Sequence, residues 1–172
     1  MGDSGGMASR IPERIGWAVE TLAVGPSDAL LEVGCGKGLA AALIAPRLRS
    51  GRILAIDRSA TAIAAARKTP GKAVFRHAAL ADLGAADGPF DKIFAINVNL
   101  FWTDAGPELP VVRKLLKKTG RLFLFYEPPA AAQRSRIAVL VREKLAGSGL
   151  TVVKSVQKDD GAPLLCLTCG LS

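Results

Sequence analysis

Short apolar runs alternate with amphipathic stretches along the whole chain from Ile11 to Cys169. Ile11, Ile15, Val19 and Leu22 recur at helical spacing, which predicts an opening helix with Pro12 in its first turn. Ala29-Leu30-Leu31-Glu32-Val33 has the length of a buried strand and is closed by glycines. An alanine-rich helix follows over Leu39 to Leu48, to be kinked or ended by Pro46, which has no N–H to give the helix. Arg52 to Asp57 reads as the second strand, and Ser59 as the cap of a helix running toward Lys68. Lys72 to His77 and Phe90 to Asn97 read as the third and fourth strands. Gly106-Pro107 opens a helix with Leu109, Val112 and Leu116 on one face. Gly120 is expected to end it, ahead of a fifth strand from Arg121 to Glu127. Ala131 to Ala146 is a helix turning Ile137, Leu140, Val141 and Leu145 inward, and two closing strands span Leu150 to Gln157 and Leu164 to Cys169.

Strands and helices that alternate in this way imply a mostly parallel sheet with helices on both faces, an α/β three-layer sandwich of Rossmann-like type. The turn Lys158 to Pro163 is too short for a crossover helix, so the last two strands pair antiparallel. No linker, repeat or low-complexity run divides the chain. Residues 11–172 read as a single domain behind a flexible tail of residues 1–10, small and polar without the apolar centre of a secretory signal. No apolar run reaches the ~20 residues that span a bilayer, and the expected location is the cytoplasm, as a monomer or homodimer.

Charge changes this picture little. The 172 residues carry a net charge of +8, which favours acidic partners, but the basic residues are scattered and aromatics make up only 5%. A solvated basic surface is therefore favoured over a nucleic-acid groove. Cys166 and Cys169 have CxxC spacing, yet a zinc site would need further ligands, for which only Cys35 and His77 remain among cysteines and histidines. Residues three apart on a strand face opposite sides. The pair reads as buried strand cysteines, and no metal is expected.

The chemistry-bearing segment is Glu32-Val33-Gly34-Cys35-Gly36-Lys37-Gly38, where the first strand turns into a helix. Glycines there permit a tight turn and close approach of a ligand to the backbone. A dinucleotide fingerprint would place its third glycine at position 39, which is Leu39. Glu32 would repel a pyrophosphate but attract a ligand with an ammonium and a sulfonium. Asp57, at the carboxyl end of the second strand, is placed to accept hydrogen bonds from both hydroxyls of a ribose. The loop favours S-adenosylmethionine over a nicotinamide dinucleotide.

These segments, with Phe90 to Asn97 and Gly120-Arg121-Leu122-Phe123, resemble class I S-adenosylmethionine-dependent methyltransferases, most closely the small type 11 or 12 group. The resemblance implies a seven-stranded sheet in the order 3-2-1-4-5-7-6. It implies that Gly34, Gly36 and Gly38, with Cys35 in the loop between them, back the methionine moiety, and that Asp57 holds the ribose. Asn97 would offer its backbone carbonyl to the cofactor's amino group. Arg58 would cover one face of the adenine, and Ala79 and Leu80 would flank it. One departure matters: Ala78 stands where relatives often carry an acid for the adenine amine, and Asp82 is a distant substitute.

Methyl transfer is an in-line displacement and requires no particular catalytic side chain. The acceptor is expected at the carboxyl ends of the fourth and fifth strands, with Asn99, Phe101 and Trp102 as candidate contacts and Trp17 completing the pocket. Tyr126 and Glu127 are the candidates for orienting an acceptor or taking its proton. His77 lies on the adenine side, which favours a structural role. The leading reading is a methyltransferase for a small-molecule acceptor. The alternatives are an RNA or protein methyltransferase using the basic surface, and a cofactor-binding module without catalysis.

Overall fold

The computed structural model describes residues 11–172, and the tail expected over residues 1–10 lies outside the described residues. Helix α1 (Glu13–Thr21) follows Pro12 and leads to β1 (Ala29–Val33). Helix α2 (Leu39–Ile44) passes at Pro46 into a 3₁₀ turn, Ala45–Arg47, as the missing proline N–H requires. Then come β2 (Arg52–Asp57), α3 (Ala60–Ala66), β3 (Val74–His77) and β4 (Phe90–Ile96). The Ser59 hydroxyl caps α3 by accepting the Ala62 N–H at 3.1 Å. A short helix α4 (Leu100–Thr103), not expected from the periodicity, precedes α5 (Glu108–Leu115). Strand β5 (Leu116–Tyr126), α6 (Gln133–Leu145), β6 (Leu150–Lys158) and β7 (Leu164–Leu171) complete the chain.

The seven strands form one sheet in the order β3-β2-β1-β4-β5-β7-β6. Pairings among the first five strands are parallel, and β7 lies antiparallel to both β5 and β6. The seven-stranded, Rossmann-like sandwich is therefore the one that the resemblance implies.

One boundary is corrected. Leu116 does not continue the helix that Leu109 and Val112 begin; it turns extended (φ −76°, ψ 137°) and pairs with Phe90. Gly120 thus lies inside β5, at a register shift between Phe90 and Lys92. A side chain there would come within 2.9 Å of the Phe90 carbonyl oxygen, so the glycine serves the close strand approach rather than ending a helix. At the start of the chain, Ile11 sits ahead of α1 and is exposed, so the buried face of that helix rests on Val19 and its neighbour Ala18.

Alternation along the strands divides the core in two. Leu31, Val33, Ile93, Leu124 and Tyr126 pack with α5 and α6 on one face. Leu30, Ile53, Phe94 and Phe125 pack with α1, α2 and α3 on the other. Cys169 belongs to the first core and Cys166 to the second. The two thiols thus diverge across the sheet, as their spacing on a strand predicts.

Candidate active site at the carboxyl edge of the sheet

The glycine loop is built by positive φ angles and by hydrogen bonds to β2. Gly34, Gly36 and Gly38 have φ of 71°, 54° and 79°, in the left-handed region that residues with a Cβ avoid. A Cβ on Gly34 would lie 2.6 Å from Val98 Cγ2, and one on Gly38 would strike the Phe75 ring. At Gly36 the same position is open. Two of the glycines therefore serve close packing, and Gly36 alone faces free space. Cys35 donates its N–H to the Ile56 carbonyl at 2.9 Å and Gly36 donates to Asp57 Oδ2 at 2.8 Å. Asp57 Oδ1 accepts the Ser59 N–H at 2.8 Å. Each Asp57 oxygen is thus engaged by the backbone and retains acceptor capacity.

Three cavities follow one another along this edge. The first, about 370 Å³, is lined by Gly34, Asp57, Arg58, Ala78, Ala79 and Leu80 from the strand ends and the turns after them, by Val98 from the loop after β4, and by Leu100, Thr103 and Glu108 from α4 and α5. The second, about 240 Å³, lies between the glycine loop and α1, with Glu32, Gly34, Cys35, Gly36, Ile15 and Asn97 in its wall. The third, about 430 Å³, lies between the ends of β4 and β5 and α6, and is walled by Asn97, Asn99, Trp102, Tyr126, Glu127 and Arg136 among others. Gly34 belongs to the first two cavities and Asn97 to the last two. Each cavity thus shares one wall residue with the next.

Asn97 stands at the junction in a left-handed conformation (φ 57°) that asparagine tolerates better than most residues. Its side-chain oxygen accepts the Glu127 N–H at 2.8 Å and its own N–H reaches the Phe125 carbonyl at 2.8 Å. The ends of β4 and β5 are locked together at the point where the second and third cavities meet.

Glu32 is buried on β1, and its Oε2 has no hydrogen-bond partner. Burial, reinforced by the nearby Asp57 charge, pushes its carboxyl from the usual 4.5 to about 8, against a smaller opposing effect of the Ala41 backbone N–H. The carboxyl is thus mostly protonated at neutral pH in the absence of a ligand, where the sequence suggested a standing negative charge. Burial also raises the Cys35 thiol to about 12, with Glu32 and Asp57 adding to the effect. A thiolate there is excluded at neutral pH.

In the third cavity two buried polar atoms lack partners, Trp102 Nε1 and the Tyr126 hydroxyl. Burial holds the Tyr126 phenol far above its ordinary value, so it stays protonated and can donate but cannot serve as a ready base. Glu127 meets Arg14 of α1 at 3.2 Å, both side chains being about a third or more exposed. Arg134, which is buried, bonds the Ala131 and Lys158 carbonyls and meets Asp159 at 2.5 Å, anchoring the start of α6 over this cavity.

Two acceptor-side expectations are not met by the placement. Phe101 is wholly buried in the core, because the short helix α4 turns it toward the sheet and leaves Trp102 to the cavity. Trp17 packs edge-on against Phe125, ring centroids 5.8 Å apart, on the sheet face opposite Tyr126. Asp82 accepts the Ala79 N–H at 2.9 Å within its own turn and is not in the wall of the first cavity. His77 Nε2 lies 3.0 Å from the Arg58 carbonyl and so donates to it, a structural role. Sequence reasoning passed over Val98, Thr103, Glu108, Gln133 and Arg136 as cavity residues. Only Glu108 carried a signal, an acid after Gly106-Pro107, and that reads equally well as an ordinary helix-start residue.

The sheet order, the glycine loop and the strand-end acid together define the class I S-adenosylmethionine-dependent methyltransferase architecture. Residues 30–120 match the methyltransferase domain family, and the chain belongs to it. Over 92 residues it is 35% identical to the protein-L-isoaspartate O-methyltransferase of Paracoccus denitrificans, a match covering 48% of this chain and 39% of that protein. The chain thus spans about two fifths of that relative's length. The fold is similar to a TehB-like S-adenosylmethionine-dependent methyltransferase of Corynebacterium glutamicum, with TM-score 0.70, 15% identity, and 96% of this chain and 91% of that one covered. It is also similar to the 1,6-didemethyltoxoflavin-N1-methyltransferase of Burkholderia thailandensis, solved with bound 1,6-didemethyltoxoflavin and S-adenosylhomocysteine. There the TM-score is 0.69 at 20% identity, over 93% of this chain and 79% of that one.

Proposed function

We propose that residues 11–172 act as one methyltransferase domain that uses S-adenosylmethionine to methylate a small-molecule acceptor. The observation that carries this reading is the adjacency of the three cavities, which share Gly34 and Asn97 as wall residues. A nucleoside, an amino acid and an acceptor can be seated in sequence, with the reacting centre at the Asn97 junction.

The residues fit this cofactor. Asp57 retains acceptor capacity toward a ribose, beside Arg58, Ala79 and Leu80 at the nucleoside end. Gly36 leaves open space in the second cavity, where the unpartnered Glu32 oxygen lies in the wall. A cationic amino group there satisfies that oxygen and draws the carboxyl toward its ionised form. The Asn97 backbone carbonyl is a second acceptor for the same group. When bound, S-adenosylmethionine supplies a methyl group activated by its sulfonium. The protein's part is to align the acceptor and exclude water, an effect worth up to ~7–11 kcal/mol in favourable cases.

The third cavity has the volume of a small-ligand site. Its uncommitted groups are chiefly donors: the Trp102 indole N–H, the Tyr126 hydroxyl and Arg136. Tyr126 orients the acceptor rather than deprotonating it. Glu127 is already paired with Arg14 and holds the cavity wall.

Calorimetric titration with S-adenosylmethionine, S-adenosylhomocysteine and NAD tests the cofactor, and transfer of a labelled methyl group to a panel of small acceptors tests the reaction. Micromolar binding of the first two alone is expected. Binding of neither, or of NAD selectively, would sink the reading.

A further inference from the structure

The first cavity contains an unassigned acceptor atom. Ala78 ends the β3 turn without a polar side chain, and the neighbouring Ala79 N–H is already taken by Asp82. Helix α5 brings Glu108, its first residue, whose Oε2 is buried and has no hydrogen-bond partner. Glu108 lines the same cavity as Asp57, Ala78, Ala79 and Leu80. A buried carboxylate oxygen left unsatisfied is costly unless a ligand donates to it. Asp57 meets the ribose requirement, so the donor remaining on a bound adenosyl group is the exocyclic amine of the base. A carboxylate accepts from such an amine and repels the carbonyl oxygen that a 6-oxopurine would present in its place.

We propose that Glu108 is the residue that selects adenine, reading the 6-amino group from α5 in place of an acid at the end of β3. The inference rests on the cofactor reading above and concerns a residue that neither the glycine loop nor the ribose acid requires. Leu80 and Val98 flank the cleft as apolar walls, leaving Glu108 to supply the discrimination.

The test compares the binding of S-adenosylhomocysteine with two analogues, one carrying hydrogen at purine C6 and one carrying a carbonyl there, by calorimetry. The wild-type protein should prefer the amine on the order of 10- to 100-fold, the range of a hydrogen bond to a charged group. In Glu108→Ala the preference should collapse, with the C6-hydrogen analogue binding as in wild type. Glu108→Gln, which keeps the shape and one acceptor, should retain part of the preference and serves if the alanine variant does not fold. A preference unchanged in the variants, or an equal loss for all three ligands, overturns the assignment. Failure of the wild-type protein to bind any of the three overturns the cofactor reading and this inference with it. Binding of all three equally by wild type overturns this inference alone.

Discussion

Asp57 accepts the Gly36 amide hydrogen at 2.8 Å, joining the end of β2 to the one glycine of the loop that faces open space. The residue proposed to hold the ribose therefore also shapes the loop proposed to hold the amino acid. Asp57→Ala should lose cofactor affinity by at least ~10-fold and destabilise the free protein by about 1–3 kcal/mol, since the Gly36 and Ser59 amides both lose an acceptor. Asp57→Asn, which keeps one acceptor oxygen, should lose less of both. Calorimetry and urea denaturation separate the two effects; an alanine variant of full stability would show that the staple is not needed.

Glu32 predicts a pH dependence. Its carboxyl sits at about 8 in the folded protein against the usual 4.5, so between those values the folded form holds a proton that the unfolded form releases. Stability from this group is fully present below about 4.5 and is lost as pH rises through about 8, by a few kcal/mol at most. Glu32→Gln should flatten the fall in melting temperature between pH 5 and 9. In the wild type, S-adenosylmethionine binding at pH 7 should release a proton, visible as a binding enthalpy that changes with the ionisation enthalpy of the buffer. No release would mean that Glu32 does not meet the amino group.

The three glycines should not be equivalent. Gly38→Ala combines a left-handed backbone with a collision on the Phe75 ring, and a loss of about 3 kcal/mol or more is expected. Gly34→Ala meets Val98 and should behave similarly. Gly36→Ala has only the backbone strain, about 1 kcal/mol, and should instead weaken cofactor binding by filling the second cavity. Equal destabilisation by all three would contradict this division.

Tyr126→Phe removes a buried hydroxyl that has no partner. Stability should stay within about 0.5 kcal/mol of wild type or rise, because no hydrogen bond is broken. With an acceptor identified by screening, its KM should rise or turnover fall by roughly 3- to 10-fold, the worth of one neutral hydrogen bond. Loss of stability without loss of activity would assign the hydroxyl to the scaffold.

The order of the seven strands and their main helices, the mostly parallel sheet, the glycine loop and Asp57 were legible in the sequence, and the short helix α4 was not. Each depends on short-range chemistry: apolar periodicity, a proline without an N–H, a serine at a helix start, glycines where the backbone must turn left-handed. The divergence of Cys166 and Cys169 was equally local, since the period of a strand settles it. Where a local signal was ambiguous, tertiary pairing decided. Gly120 looks like a helix stop, but Leu116 pairs with Phe90 and draws the segment into β5. Phe101 and Trp102 are adjacent and both aromatic, and only the packing of α4 beside α6 sends one to the core and the other to the cavity. Trp17 packs on the sheet face opposite Tyr126, which is set by where α1 docks. The protonation of Glu32 and Tyr126 follows from desolvation, which no spacing rule measures. Glu108 shares a cavity with Ala78 and Leu80 only because α5 packs against the 3₁₀ turn Leu80–Asp82 that follows β3. The sequence thus determined the scaffold and the glycine loop, through interactions between near neighbours. Which distant side chains share one cavity, and in which charge state, was decided by folding.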